Sequence, residues 1–135
     1  MLTEIQGMDV STEISLLEYG LLMGRNEHCE EDEYVFIHRH STMLDRYSLS
    51  YLSISDIMEL WTLGNWSKPE EVMKFSGLEK MPTKEWIRDN PFDAVEMMYL
   101  YWGPAEVFGM DYGEGLTLKE VNEHLPEDHQ IDTDF

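Results

Sequence analysis

His38 and His40, two residues apart, are the first side chains in this sequence whose types and spacing could do chemistry. On a strand both would face one side, and such a pair holds a metal ion when a third and fourth ligand converge on it. His28, Cys29 and Glu30 are candidate donors, but no spacing ties them to the pair. The histidines therefore read as strand-end residues beside Arg39, and no metal is expected. Cys29 is the single cysteine, so no internal disulfide can form and a reducing compartment fits. It stands among acids, in Asn26-Glu27-His28-Cys29-Glu30, a poor setting for a nucleophile.

Asp111-Tyr112-Gly113-Glu114-Gly115 resembles part of a calcium loop but fails its template. With Glu120 as the twelfth-position ligand, Glu114 would occupy the sixth position, where glycine is needed. The segment reads as a glycine-permitted turn. No phosphate-cradling glycine loop, G-x-S-x-G or H-E-x-x-H is present. Neither an enzyme nor a cofactor is expected.

What remains is charge. The 135 residues carry 28 Asp and Glu against 9 Lys and Arg, a formal net charge of −19. Such a surface repels nucleic acid and anionic membranes and attracts basic proteins. Glu27 to Glu33 holds five acids and no Lys or Arg. Beyond Arg88 there are twelve acids and one base, Lys119. Asp89, Asp93 and Glu96, and again Glu120, Glu123 and Glu127, fall at spacings of three and four. If helical, each trio would stack its carboxylates roughly 5–6 Å apart on one face, as would Glu27, Glu30 and Glu31. Duplex DNA carries a phosphate about every 3.4 Å along each strand, so rows of carboxylates can present a similar field to a Lys/Arg groove.

Several elements must position these groups. Ile14, Leu17, Leu21 and Leu22 are spaced as in a helix capped by Ser11 and stopped at Gly24. Glu27 to Glu33 reads as a loop. Tyr34 to Ile37 reads as a strand, and Asp45 to Leu52 alternates as a half-buried one, with His40 to Asp45 closing a hairpin. Helix starts follow at Ser53 with Asp56, at Ser67-Lys68-Pro69-Glu70, at Thr83, at Asn90-Pro91 and at Thr117 with Glu120. The expected fold is α+β, a mainly helical single domain over 1–135 with one β-hairpin. Pro126 to Phe135 is expected to be a frayed acidic tail. No signal peptide or membrane-spanning run is found, so the cytoplasm is the expected location.

In size, single cysteine, compact helical reading and excess acid, the chain resembles the class of phage- and mobile-element-encoded nucleic-acid mimics, which includes inhibitors of restriction enzymes and CRISPR effectors. The resemblance covers composition along the whole chain and no particular residue. It implies a basic nucleic-acid-binding protein of a bacterial defence system as partner, with no direct contact to nucleic acid or membrane. The carboxylates expected to bind it are Glu27, Glu30, Glu31, Asp32 and Glu33, then Asp111 and Glu114, then Glu120, Glu123, Glu127 and Asp128. The alternative is an adaptor or assembly chaperone that binds through an aromatic and Met surface, the acids serving solubility. Whichever holds, Trp61, Trp66, Trp86 and Trp102, each set among apolar residues, are expected in a core or against a sister subunit in a homodimer. Met73, Met81, Met97, Met98 and Met110 read as ordinary core filler, or on the adaptor alternative as the lining of an adaptable surface.

Overall fold

A computed structural model describes residues 4–5, 16, 20–63 and 83–131. Its centre is an antiparallel sheet in the order β1-β2-β3-β4: β1 (Glu4–Ile5), β2 (Leu21–Arg25), β3 (Glu33–Arg39) and β4 (Tyr47–Ser53). Three of these are full strands and β1 is a two-residue edge. Five α-helices lie among the described residues: α1 (Ile54–Leu63), α2 (Lys84–Asp89), α3 (Pro91–Trp102), α4 (Pro104–Phe108) and α5 (Leu118–Glu123). The fold is α+β, but the expectation of a mainly helical chain with one hairpin is wrong: the sheet is the organising element.

The error lies at β2. Leu21 and Leu22 were assigned to a helix ending at Gly24, yet Leu21 to Gly24 pair with Val35 to His38 of β3. A short apolar run satisfies helical spacing and a doubly buried strand equally well. The missed signal is Gly20. Its φ is +69°, a conformation that favours glycine, and a Cβ there would press on the Arg39 side chain, so glycine suits the turn into the strand. Of the expected helix's start, residues 11–15 and 17–19 lie outside the described residues, as do the Ser67–Glu70 cap, its helix and Trp66.

The sheet is covered on both faces. Leu21, Met23 and Phe36 point into one core, completed by Ile57, Trp61, Ile87 and the inward side of α3. Leu22, Val35 and Ile37 point into a second core with Leu16, Val121, Leu125 and Ile131. The strand period of two therefore sends neighbouring residues into different cores, and all six of these strand residues are buried.

The hairpin lies where its alternation placed it, with Arg39 opposite Tyr47. Three of the expected caps form, at Ser53, Thr83 and Thr117, whereas Asn90 makes no side-chain cap bond. Ser53 Oγ accepts from Asp56 N (3.1 Å) while Asp56 Oδ2 accepts from Ser53 N (2.9 Å). Thr117 and Glu120 form the same reciprocal box at α5. The stretch read as a frayed tail is ordered through Ile131, whose backbone N–H and C=O both bond the Asn122 side chain at 2.7 Å. Residues 132–135 lie outside the described residues.

Leu21→Ala and Leu22→Ala should each cost about 2–5 kcal/mol, because each opens a hole in a different, fully closed core. Urea unfolding of the two variants measures this. A negligible loss at either position would contradict a strand buried on both sides.

Candidate functional site

Two loop clusters lie at opposite ends of the sheet. Glu33 and Arg39 end β3, and six residues of strand separate them by roughly 20 Å.

The first cluster is the turn from β2 to β3, where Glu27, Glu30, Glu31, Asp32 and Glu33 come together. Neutral groups and one guanidinium hold its backbone. Asn26 Oδ1 accepts from His28 N (2.9 Å), and Asn26 O accepts from Cys29 N (3.1 Å). Glu30 O accepts from Glu33 N (3.1 Å) and from the Arg25 guanidinium (2.8 Å). Asp32 O accepts from Ile54 N (3.1 Å), which ties the turn to the start of α1. Asn26 Nδ2 donates to the Tyr51 hydroxyl (3.0 Å). Cys29 packs against the second core, so its role is to anchor the turn. Glu27, Glu30, Glu31 and Asp32 are exposed and Glu33 is half-buried. Among the described residues, no basic side chain pairs with Glu31 or Asp32, and only His28 approaches Glu27, at 3.6 Å. The result is a fixed backbone carrying carboxylates that are left to solvent.

The remaining expected carboxylates are distributed differently. Glu120 is committed to its cap, accepting from Thr117 N (3.1 Å) and Oγ1 (3.0 Å), and those bonds hold its carboxyl below the usual range. Glu123 ends α5, whereas Glu127 and Asp128 belong to a separate 3₁₀ turn beyond Pro126. The proposed trio is thus not one helical row. Asp89 likewise ends α2, while Asp93 and Glu96 lie on α3, and burial raises the carboxyl pKa of both. Glu27, Glu30 and Glu31 form a turn and not a helix face. Glu114, Glu123 and Glu127 are exposed and carry no ion pair among the described residues.

The second cluster joins the β3–β4 turn to the loop after α4. Asp111 is its hub, through its carboxylate and its backbone. Asp111 Oδ2 accepts from Ser48 Oγ (2.7 Å), and Oδ1 accepts from Gly113 N (2.8 Å), which lowers its carboxyl pKa. Its backbone N donates to Ser41 Oγ (2.8 Å). Thr42 Oγ1 donates to its carbonyl (3.4 Å). His40 is buried beside it. Its Nδ1 accepts from Thr42 N and Met43 N, both at 3.1 Å, which leaves the proton on Nε2, 3.5 Å from Asp111 Oδ2 without a hydrogen bond. Gly115 closes the packing: its φ is +71°, and a Cβ would press on the His40 ring at 2.6 Å. Asp111, expected to meet a partner, is half-exposed, and both of its carboxylate oxygens accept hydrogen bonds from within the protein.

His38 is the closest approach to a reactive constellation. Its Nδ1–H donates to Arg39 O (2.9 Å), and its Nε2 accepts from Ser50 Oγ (2.8 Å). A hydroxyl on an oriented imidazole has the outline of an activated nucleophile. The surroundings argue against that use. The ring is buried and stacked on Phe108 at 3.9 Å, and desolvation lowers its pKa to about 4. So weak a base gains little from Ser50 near neutrality. Two serines of β4 thus serve these groups, Ser50 bonding His38 and Ser48 bonding Asp111. Among the described residues no group of three or more His, Cys, Asp or Glu is arranged to hold a metal. Nor is any helix there long and apolar enough to cross a membrane.

Comparison with protein-family models, with curated proteins and with solved structures finds no match to this chain.

The His38 environment has a pH signature. Its folded pKa lies near 4 against 6.5 for the free group. As pH falls through that window the unfolded chain takes up a proton that the folded one refuses, so stability falls, and above it the effect is constant. The upper limit of the loss is about 3 kcal/mol. Urea unfolding of the natural chain and of His38→Gln should show the natural chain losing about that much relative to the variant between neutral pH and pH about 4. Asp93 and Glu96, raised by burial, act in the opposite direction but equally in both proteins. Parallel profiles would contradict a neutral, buried His38.

Proposed function

We propose that this protein is an acidic inhibitor that places fixed carboxylates in the DNA- or RNA-binding site of a basic protein, acting in a host cytoplasm and without chemistry of its own. Nucleases of bacterial defence systems, such as restriction enzymes and CRISPR effectors, are the class of target the composition suggests.

The observation that supports the reading most is the Glu27–Glu33 turn. Its backbone is pinned by hydrogen bonds donated to Asn26 and received from Arg25 and Ile54, while Glu31 and Asp32 have no ion pair among the described residues. Crowding like charges on a fixed loop costs folding free energy through self-repulsion. A phosphate-binding cleft would supply the missing cations and release its counterions. Because the backbone is already ordered, little further entropy is lost on docking. Glu114, Glu123 and Glu127 add exposed charge elsewhere. Asp111 and Glu120 contribute less, since their carboxylates are internally bonded.

The test is displacement of labelled duplex DNA from purified restriction and CRISPR nucleases. Displacement by at least one target is expected, weakening about tenfold or more on moving from low to moderate salt. Reversing Glu30, Glu31 and Asp32 to Lys together should weaken it at least about tenfold with the fold intact by circular dichroism. Salt-independent displacement, or an unchanged triple variant, would remove the turn from the mechanism. The adaptor alternative predicts binding almost flat with salt.

A further inference from the structure

At the end of the sheet opposite the acidic turn, two loops project side by side. They are stitched at Asp111: Ser41 Oγ and Thr42 Oγ1 bond its backbone, and Ser48 bonds its carboxylate. Buried His40 holds the first loop by accepting from Thr42 N and Met43 N, while its Nε2 lies against the second. So both loops have a hydrogen-bonded base.

The tips carry the wrong residues for a solvated turn. Leu44 is fully exposed and Tyr112 is 87% exposed, with Met43 and Met110 beside them at 38% and 51%. Each lies within two residues of the bonds joining the loops, so the four side chains are carried on two loops tied together at Asp111. Large exposed apolar groups grouped on ordered loops mark an interaction surface. Two Met and a Tyr suit one, because Met adapts to its partner's shape and Tyr combines apolar area with a hydrogen-bonding tip.

Charge identifies the occupant. Asp45 and Glu114 flank the patch in sequence, Asp111 joins its loops, and Arg46 is the nearest cation, paired with Asp45 at 3.2 Å. A second copy would bring these acids against their own kind, with −19 on each chain. A partner that presents an apolar depression ringed by Lys or Arg satisfies both the tips and the rim.

We infer that the paired tips at Leu44 and Tyr112 are an anchoring surface that inserts into an apolar pocket rimmed by basic residues on the partner protein. The inference rests on the inhibitor reading and extends it: the acidic turn provides charge, and the tips provide the apolar contact that selects among basic partners.

Three labelled peptides of equal length test it: Lys/Ser, Lys/Leu of the same charge, and neutral Leu/Ser. Binding is read by fluorescence anisotropy at low salt and mapped by amide shifts. The Lys/Leu peptide should bind at least about tenfold tighter than Lys/Ser. Its shifts should fall on residues 41–44 and 110–115. Leu44→Ser combined with Tyr112→Ser should erase that advantage and leave Lys/Ser affinity unchanged, whereas Tyr112→Phe should retain it. Equal affinity of the two basic peptides, or an advantage that survives the double variant, overturns the anchor alone. Neutral Leu/Ser binding as tightly as Lys/Leu overturns the basic rim. Self-association abolished by the double variant assigns the patch to a second copy and overturns the inference. Failure of even Lys/Ser to bind overturns the inhibitor reading together with the anchor.

Discussion

Burial of β2 and β3 on both faces is the constraint from which the rest of the structure follows. A strand with one wet face could place polar groups along its length. Here Leu21, Met23 and Phe36 fill one core and Leu22, Val35 and Ile37 the other, so the middle of the sheet has no room for them. Polar function is displaced to the ends of the strands and to β4. At one end is the acidic turn; at the other is the Asp111 network with its two projecting tips. His38 marks the boundary, with its ring buried like a core residue and its two nitrogens satisfied by Arg39 O and Ser50. Desolvation then makes it neutral, as an imidazole enclosed beside Phe108 must be.

The same constraint shapes how the charge is carried. With nineteen uncompensated charges, compactness is opposed by self-repulsion. Acids near the framework are therefore used as hydrogen-bond acceptors. Asp56 and Glu120 close capping boxes, and Asp111 binds Ser48 and the Gly113 amide. Charge assistance makes such bonds stronger than neutral ones, which offsets part of the repulsion. The carboxylates of Glu31, Asp32, Glu114, Glu123 and Glu127 have no such internal use among the described residues. On the proposed reading these are the carboxylates a partner would meet. Equal acidity in the sequence thus resolves into two populations, one structural and one available.

The parts of the fold legible in the sequence are those decided by neighbours along the chain. A cap needs only a hydroxyl and a carboxylate three residues apart, so Ser53 with Asp56 and Thr117 with Glu120 were readable without any tertiary context. Thr83 caps α2 as its position predicts. Pro91 opens α3 and Gly103 with Pro104 closes it for similarly local reasons, although Asn90 turns its amide back to Trp86 O and leaves the cap unmade. The hairpin followed from alternation alone. The acidic turn was legible too, because five acids in seven residues have no core to join.

What the sequence determined by itself was charge, the helix starts, the hairpin and the turn that gathers Glu27 to Glu33. Only tertiary structure decided that Leu21 to Arg25 is a strand, since its run of apolar residues is ambiguous until partners exist on both sides. Only tertiary structure brought Asp111 to Ser48 and His40 across more than sixty residues, making a half-exposed acid the hub that joins two loops. It also tied the loops that carry Leu44 and Tyr112 together at Asp111. The physical reason is common to all three. Local propensity acts through bonds a few residues long, while burial, desolvation and the sharing of an acceptor are properties of a neighbourhood that exists only once distant segments have met.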